Sequence, residues 1–252
     1  MPATLAPATV REGLFVSTRW TIVLEAGKSQ TPPDEALNAL SELCRIYWRP
    51  IFLFLRRQGS NPDDAQDLTQ GFFAHLIESR AYARADRDKG RFRSFMLGTL
   101  KHFLAHARSH DRTQKRGGGM ILAPLDTASI AEADARAAGA KKWTPEHVYD
   151  REWAETLLRQ ALDRLGEECA LAGKEELFEK LNSHLSATNK TAVPYDELSV
   201  RLGRPSATLR SDVARLRSRY RAILREEVGG TVADASEVDA ELRHLCEVLG
   251  AD

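Results

Sequence analysis

Apolar residues recur along this chain at intervals of three and four positions, the spacing of one face of an α-helix. The clearest stretch is residues 34–59, whose predicted buried face consists of Leu37, Leu40, Cys44, Tyr47, Ile51 and Leu55. Pro50 falls within this stretch, and we expect it to kink or divide the helix. Alternating apolar and polar runs, the mark of half-buried strands, are nearly absent. The pattern predicts an all-α protein.

Two further helices begin with recognisable signals. Asn61 followed by Pro62 supplies a capping side chain and a proline at the first helical position. The helix that follows has Ala65, Leu68, Phe72 and Leu76 as its predicted buried stripe. Thr144, Pro145 and Glu146 give the same kind of start in the second half of the chain. Between them, residues 91–110 predict a helix after the polar turn of residues 83–90.

The helical pattern disappears in residues 117–143, which contain three consecutive glycines, a proline and many alanines. Such a composition predicts a flexible linker between two domains. We therefore expect two all-helical domains, residues 14–116 and 144–228, preceded by a disordered N-terminus in residues 1–13. Residues 229–252 form a tail with one short amphipathic helix.

Near the end of the second domain, two predicted helices are separated by a short turn. Residues 195–202 form the first helix, Gly203-Arg204-Pro205 the turn, and a second helix starts with Ser206 as its cap. Two helices joined by such a glycine-containing turn are the helix-turn-helix pattern. On the second helix, an apolar face that would pack inward consists of Leu209, Val213, Leu216 and Tyr220.

The opposite face of this second helix is narrow and flanked by cations. Its centre consists of small residues, Ala207, Ser211, Ala214 and Ser218. Its two flanks are Arg210, Arg217 and Arg221 on one side and Thr208, Arg215 and Arg219 on the other. A narrow edge suits a major groove about 12 Å wide, and arginine pairs with guanine or with phosphate. The face predicts DNA binding; the alternative is a basic helix with a different partner.

Charge is segregated although the chain is neutral, with 36 basic and 36 acidic residues. Residues 84–116 carry ten basic and three acidic side chains, and residues 201–225 carry eight arginines and one acid. The rest of the chain has 18 basic and 32 acidic residues. Two basic segments on an acidic body favour a single polyanionic ligand. The alternative is that both are solvated helix faces.

Other chemistry finds little support. The three cysteines are widely spaced, as expected for free thiols in a reducing cytoplasm. His102, His106 and His110 recur at a spacing that could bind zinc, but their helix is basic and Asp111 is the one carboxylate that could join them at ligand spacing. The sequence shows no Ser/His/Asp or Cys/His arrangement of a catalytic nucleophile and its base. Its apolar runs are shorter than the ~20 residues that a membrane span requires. We expect no enzyme activity, no cofactor or metal, and no membrane span.

Residues 195–224, "YDELSVRLGRPSATLRSDVARLRSRYRAIL", resemble the promoter-binding C-terminal domain of bacterial RNA polymerase sigma factors of the extracytoplasmic-function type. The positions that match or substitute conservatively are Tyr195, Glu197, Leu198, Leu202, Gly203, Ser206, Thr208, Leu209, Arg210, Ser211, Arg215 and Leu216. Response regulators carry a similar domain, so the first half of the chain decides between the two families.

That first half is similar to the same sigma factors in two segments. Residues 61–78, "NPDDAQDLTQGFFAHLIE", resemble the family's polymerase-clamp helix, and residues 89–116 resemble the next helix, which engages the melted downstream promoter element. The resemblance covers roughly residues 14–116 and 150–228. It departs from the family at Gly71, where an acid is usual, at Phe95, where Trp is usual, and at His102 and His106, where Asn and Asp are usual.

The resemblance implies a role for each segment. Core polymerase would be bound by Asp63, Asp67 and Gln70. The upstream, −35 type element would be read by Ser206, Ala207, Thr208, Arg210, Ser211, Arg215, Arg217 and Arg221. The downstream, −10 type element would be held by Tyr82, Arg91, Phe92, Arg93, Lys101, Arg108, Arg112, Lys115 and Arg116. Aromatic side chains in this block can stack on bases, although Phe92 and Phe95 are also candidates for the core.

The resemblance also implies partners and a location. The partners would be promoter DNA and core RNA polymerase, with an anti-sigma factor as a further possible partner, and the protein would act in the cytoplasm at the nucleoid. Two alternatives remain open. One is a helix-turn-helix regulator that does not bind polymerase, and the other is a helical protein-interaction adaptor.

Overall fold

A computed structural model of the chain describes residues 33–79, 91–110, 135, 143–185, 192–232 and 234–250. The prediction of an all-α protein is confirmed, since these residues contain α-helices and short 3₁₀ turns but no strand. The helices are α1 (Pro33–Arg57), α2 (Pro62–Glu78), α3 (Phe92–His110), α4 (Pro145–Leu171), α5 (Glu175–Leu181), α6 (Tyr195–Leu202), α7 (Ser206–Gly229) and α8 (Val238–Gly250).

Two predicted helix starts are confirmed in detail. The Asn61 side-chain oxygen accepts a hydrogen bond from the Asp64 backbone N–H at 2.8 Å, at the start of α2. The Thr144 hydroxyl oxygen accepts one from the His147 N–H at 3.2 Å, at the start of α4. Each satisfies a donor that the first turn of a helix leaves without an intrahelical partner.

Of the two effects expected of Pro50, a kink or a division of the first long helix, the division does not occur. α1 is continuous from Pro33 to Arg57, with Pro50 inside it. A proline in a helix interior costs about 3 kcal/mol, because it lacks an N–H and its ring crowds the preceding turn. The apolar residues beside it, among them Ile51, Phe52 and Phe54, are fully buried. Burying each contributes about 1.5–3 kcal/mol, which offsets the cost of the proline.

The two predicted domains are in contact and share one hydrophobic core. α1 packs along α4, and buried side chains of α2, α3 and α8 complete the same cluster. The Phe54 ring from the first domain meets the Tyr149 ring from the second edge-on, with centroids 6.4 Å apart. Residues 1–13 and all but Ala135 and Trp143 of the predicted linker lie outside the described residues.

Smaller clusters fix the position of the predicted helix-turn-helix. Leu181 of α5 and Leu198 of α6 are buried together with Leu209 and Val213 of α7. The middle of α7 packs through Ile223 against a second cluster on α4. α7 is therefore held along its length by α4, α5 and α6, and α8 packs against it as well, which leaves its remaining face exposed.

The predicted amphipathic helix of the tail is present as α8. Its buried side chains include Val238, Leu245 and Val248, and it packs against α4 and α7. It follows a turn in which Asp234 accepts a hydrogen bond from the Ser236 N–H at 2.7 Å. Among the described helices, none combines the length and the apolar character required to cross a membrane.

Candidate nucleic-acid interface

The turn between α6 and α7 depends on the backbone of one glycine. Gly203 has φ +61° and ψ +30°, the left-handed conformation that glycine adopts most readily. A Cβ atom at this position would meet nothing within 4 Å, so the constraint is the backbone conformation and not crowding. The Ser199 hydroxyl donates to the Arg204 carbonyl at 2.6 Å and braces the turn. The predicted glycine turn is confirmed.

Ser206 does not cap α7, contrary to the sequence-based expectation. The helix follows Pro205, whose carbonyl accepts from the Leu209 N–H at 3.1 Å, and no side chain caps its first turn. The Ser206 hydroxyl instead donates to a carboxylate oxygen of Asp196 at 2.8 Å. Ser206 is the first residue of α7, and its hydroxyl links α7 to α6.

The two faces predicted for α7 are both present. Leu209 and Val213 are buried, while Leu216 and Tyr220 are partly buried beside them. The opposite stripe is exposed throughout, at Ala207, Ser211, Ala214 and Ser218. The stripe forms a narrow surface of small side chains, with Thr208 exposed at its edge.

Arg210 lies at the exposed start of α7 and contacts α6 through an aromatic ring. Its guanidinium carbon is 5.3 Å from the centroid of the Tyr195 ring, within the range of a cation–π interaction. Tyr195 itself stacks on His184, with centroids 4.6 Å apart. The Arg210 side chain therefore rests on a supported surface while its charge stays accessible.

Arg215 is also accessible, and an acid of the same helix orients it. Its side chain is 74% exposed, and one of its terminal nitrogens lies 2.6 Å from a carboxylate oxygen of Asp212. The other Asp212 oxygen lies 3.4 Å from Arg204 in the turn. Asp212 thus holds two arginines at the end of the helix-turn-helix while its own side chain is mostly covered.

Three other arginines of α7 form hydrogen bonds within the protein. Arg217 donates two hydrogen bonds to the His184 carbonyl, at 3.1 and 2.7 Å. Arg219 makes two bonds of 2.7 Å with the Glu168 carboxylate. The hydrogen bonds between them raise the pKa of Arg219 and lower that of Glu168. Arg225 contacts Asp239 at 2.6 Å. Arg217, which was predicted to contact DNA, is thus already bonded to a backbone carbonyl of the protein. Arg221, predicted to contact DNA as well, is exposed.

The side chains predicted to bind polymerase lie together on the outer face of α2. Asp63, Asp67 and Gln70 are all exposed. The inner face of the helix is buried through Ala65, Thr69, Phe72, Phe73 and Leu76. At Gly71 an added Cβ would make only an ordinary contact of 3.5 Å with Phe103, so packing does not require glycine there.

The first aromatic residue of the N-terminal basic segment belongs to the core. Phe92 is 3% exposed, and its ring meets that of Tyr47 edge-on with centroids 5.5 Å apart. Phe95 is partly buried beside it. Of the two interpretations given by the sequence, base stacking and core packing, the structure has Phe92 in the core.

Arg93, predicted to contact DNA, is buried among acids of the C-terminal half. Its side chain is 8% exposed and donates to Glu241 at 2.8 Å and to Asp150. Its carbonyl accepts from the Tyr149 hydroxyl at 3.0 Å, and its guanidinium lies over the Trp153 ring. Burial alone lowers the pKa of Arg93, but the hydrogen bonds and charges of Glu241 and Asp150 outweigh it and raise the pKa. Arg93 cannot contact DNA in this arrangement.

The remaining residues of this basic segment fall into two groups. Arg91 and Lys101 are at the surface but paired, with Glu241 at 2.8 Å and with Glu146 at 2.8 Å respectively. Arg108 lies on α3, and its side chain is outside the described part of the structure. The other predicted positions, all outside the described residues, are Tyr82, Arg112, Lys115 and Arg116.

The two histidine side chains that the structure describes on α3, those of His102 and His106, lie side by side. The Nε2 atoms of His102 and His106 are 3.3 Å apart on the exposed surface. Among the residues that the structure describes, no group of three or more potential metal ligands is found.

The acidic partners of the basic segments were not identified from the sequence. Glu146 and Asp150 lie on α4, and Glu241 lies on α8, far along the chain from Arg91 and Arg93. The only sequence signal for them is the excess of acidic residues outside the basic segments, which says nothing about which acids pair.

Comparison with known proteins gave no match between this chain and any protein-family model, curated protein or solved structure.

Proposed function

We propose that this chain is a transcription initiation factor of the sigma type, which binds core RNA polymerase and directs it to promoter DNA. The observation that carries the proposal is the exposed stripe of α7, with small side chains at its centre and Arg210 and Arg215 beside it. This surface is held on a helix-turn-helix whose inner face is buried. The proposed protein carries out no covalent chemistry; polymerase does.

The proposed mode of DNA binding places the start of α7 in the major groove. Ala207 and Ser211 allow a close approach, and Arg210 and Arg215 lie beside them, where recognition helices contact bases. Arg221 lies further along the helix and would meet the phosphate backbone. Ser206 and Asp196 keep α6 and α7 together while the groove is occupied.

The proposed polymerase contact is the outer face of α2. Asp63, Asp67 and Gln70 form an exposed polar face on a helix that resembles the family's clamp-binding helix. This part of the proposal is supported by the sequence resemblance and by the exposure of these side chains. The polymerase contact is also what separates a sigma factor from a helix-turn-helix regulator.

Transcription in vitro tests the proposal directly. The full chain is added to bacterial core RNA polymerase with a genomic promoter library, and the 5′ ends of the transcripts are sequenced. We expect defined start sites that share an upstream motif, and their loss with Arg210→Ala. Arg243→Ala is the matched control, because it removes one exposed positive charge from α8, outside the helix-turn-helix.

The outcomes separate the candidate functions. Duplex binding by the chain alone, without polymerase-dependent initiation, would identify a plain helix-turn-helix regulator. Absence of both duplex binding and initiation would leave a protein-interaction adaptor and overturn the proposal.

A further inference from the structure

Helix α8 contacts both basic segments of the chain through two acids. Glu241 lies 2.8 Å from Arg91 and 2.8 Å from Arg93, at the start of α3. Asp239, two positions earlier, lies 2.6 Å from Arg225 at the end of α7. A single short helix therefore joins the segment that the sequence resemblance assigns to melted DNA to the helix proposed for the duplex.

The two contacts differ in environment. Glu241 is 1% exposed and Arg93 is 8% exposed, so this pair is withdrawn from water. Asp239 and Arg225 are mostly exposed, and such surface pairs contribute little. A buried charge without a partner is strongly unfavourable, so Glu241 and Arg93 depend on one another. The contact between α8 and the start of α3 is thus the stronger of the two.

Apolar contacts hold α8 in the same position. Val238, Leu245 and Val248 are buried, and Val238 and Leu245 belong to the core shared by α1 and α4. Asp150 of α4 takes a second donor of Arg93, and Glu146 of the same helix pairs with Lys101. The C-terminal half therefore supplies carboxylates to Arg91, Arg93 and Lys101.

A carboxylate and a DNA phosphate compete for the same donors. Both accept hydrogen bonds from arginine with the same paired geometry. Glu241 accepts a hydrogen bond from the Nε of Arg93 and forms an ion pair with a terminal nitrogen of Arg91. Arg91 can bind a phosphate backbone only after Glu241 has left it, and Arg93 only after it has also released Asp150.

We infer that α8 is an intramolecular inhibitor of single-stranded DNA binding, which occupies Arg91 and Arg93 through Glu241 and is displaced when melted DNA binds. The inference rests on the proposed function, whose regulation it describes. The outward face of α7 stays exposed while α8 is docked. With α8 docked, the chain should therefore bind duplex DNA with full affinity and single-stranded DNA more weakly.

A variant of one side chain tests this with the full-length protein. Glu241→Gln keeps the size of the side chain and removes its charge. Glu247→Gln makes the same chemical change at an exposed position of α8 and is the matched control. Affinity is measured by fluorescence anisotropy for two probes, a single-stranded oligonucleotide and a duplex, each of mixed sequence.

We expect Glu241→Gln to raise the affinity for the single strand about tenfold, within the usual ~5–150-fold range of coupling between two sites. Duplex affinity should stay unchanged, and Glu247→Gln should match the natural protein with both probes. Equal single-strand affinity for the two variants, both with normal helicity by circular dichroism, would overturn the inference.

A second measurement uses the natural protein, so it tests the inference even if Glu241→Gln fails to fold. Hydrogen exchange of the backbone amides in α8 is followed in the natural protein, with and without an excess of the single-stranded oligonucleotide. We expect exchange across Val238–Gly250 to accelerate at least tenfold when the strand binds. Unchanged protection in the complex would show that α8 stays docked and would overturn the inference.

Failure of the inference and failure of the proposed function give different results. If the protein binds duplex DNA, but Glu241→Gln has no effect and α8 is not released, only the inference about α8 is overturned. If neither probe binds the natural protein or the variant, both the proposed function and the inference are overturned.

Discussion

The guanidinium of Arg210 lies over the ring of Tyr195, with 5.3 Å between its central carbon and the ring centroid. This contact joins the first turns of the two helices of the helix-turn-helix. The contact restricts the conformations of the Arg210 side chain before DNA binds, so less conformational entropy is lost on binding. Arg210 is therefore the arginine from which we expect the most specific base contact.

Substitution of two arginines of α7 should separate base reading from backbone binding. Arg210→Ala should cost about 1–3 kcal/mol of binding free energy and relax the preference at one base pair. Arg221→Ala should weaken binding to every sequence alike and make the salt dependence shallower, because about one fewer counterion is released. Titration of promoter variants at several salt concentrations measures both effects. Binding that neither substitution alters would show that α7 is merely a solvated basic helix.

Charge reversal on α2 should weaken polymerase binding without unfolding the protein. Asp67 and Gln70 are exposed, so the double variant Asp67→Arg, Gln70→Ala leaves the buried face of α2 intact. We expect at least a tenfold loss of affinity for core polymerase, or about 1.4 kcal/mol. Asp163→Arg, an equally exposed reversal on α4, is the control. If the double variant and the control bind core polymerase equally well, α2 is not the contact.

Truncation of one tryptophan in the second predicted domain should destabilise the first as well. Trp153 is 1% exposed, within the core shared with α1. Trp153→Ala should lower the free energy of unfolding by about 3–5 kcal/mol through the cavity it leaves. Denaturant unfolding followed by circular dichroism should show one transition at a lower midpoint. A natural protein that unfolds in two separate steps would contradict a single cooperative core.

The cysteines should differ sharply in reactivity. Burial raises the pKa of the Cys44 thiol to about 12, so the reactive thiolate is nearly absent at pH 8 and forms only as the pH approaches that value. Cys246 is exposed on α8. We expect iodoacetamide at pH 8 to modify Cys246 quickly and Cys44 only after denaturant is added, as read by peptide mass spectrometry. Rapid native labelling of Cys44 would show that α1 is less well packed than described.

Local features of the fold were predictable because they depend on residues close together in sequence. The four-three-four spacing of Leu209, Val213, Leu216 and Tyr220 identifies the inner face of α7. Asn61 and Thr144 identify two helix starts through hydrogen bonds that span three residues. The left-handed turn at Gly203 follows from the one residue type that adopts it readily.

The features that sequence reasoning missed depend on distant packing. α1 continues through Pro50 because the apolar residues that follow it, among them Ile51 and Phe52, are buried in the core shared with α4, which no local rule includes. Ser206 bonds Asp196 and not its own helix because α6 lies beside it. Arg93 and Glu241 are 148 positions apart, and their pairing follows from the way α3, α4 and α8 meet.

The two hydrogen bonds from Arg217 to the His184 carbonyl have a consequence for engineering new DNA specificity. A library that randomises every arginine of α7 would remove this anchor together with the Arg219 contact to Glu168, so most of its members would lose the helix orientation. A productive library varies the exposed positions 207, 208, 210, 211, 214 and 215 and keeps 217 and 219 unchanged. Arg217 and Arg219 hold the helix in its orientation, so Arg210 and Arg215 can be varied while that orientation is kept.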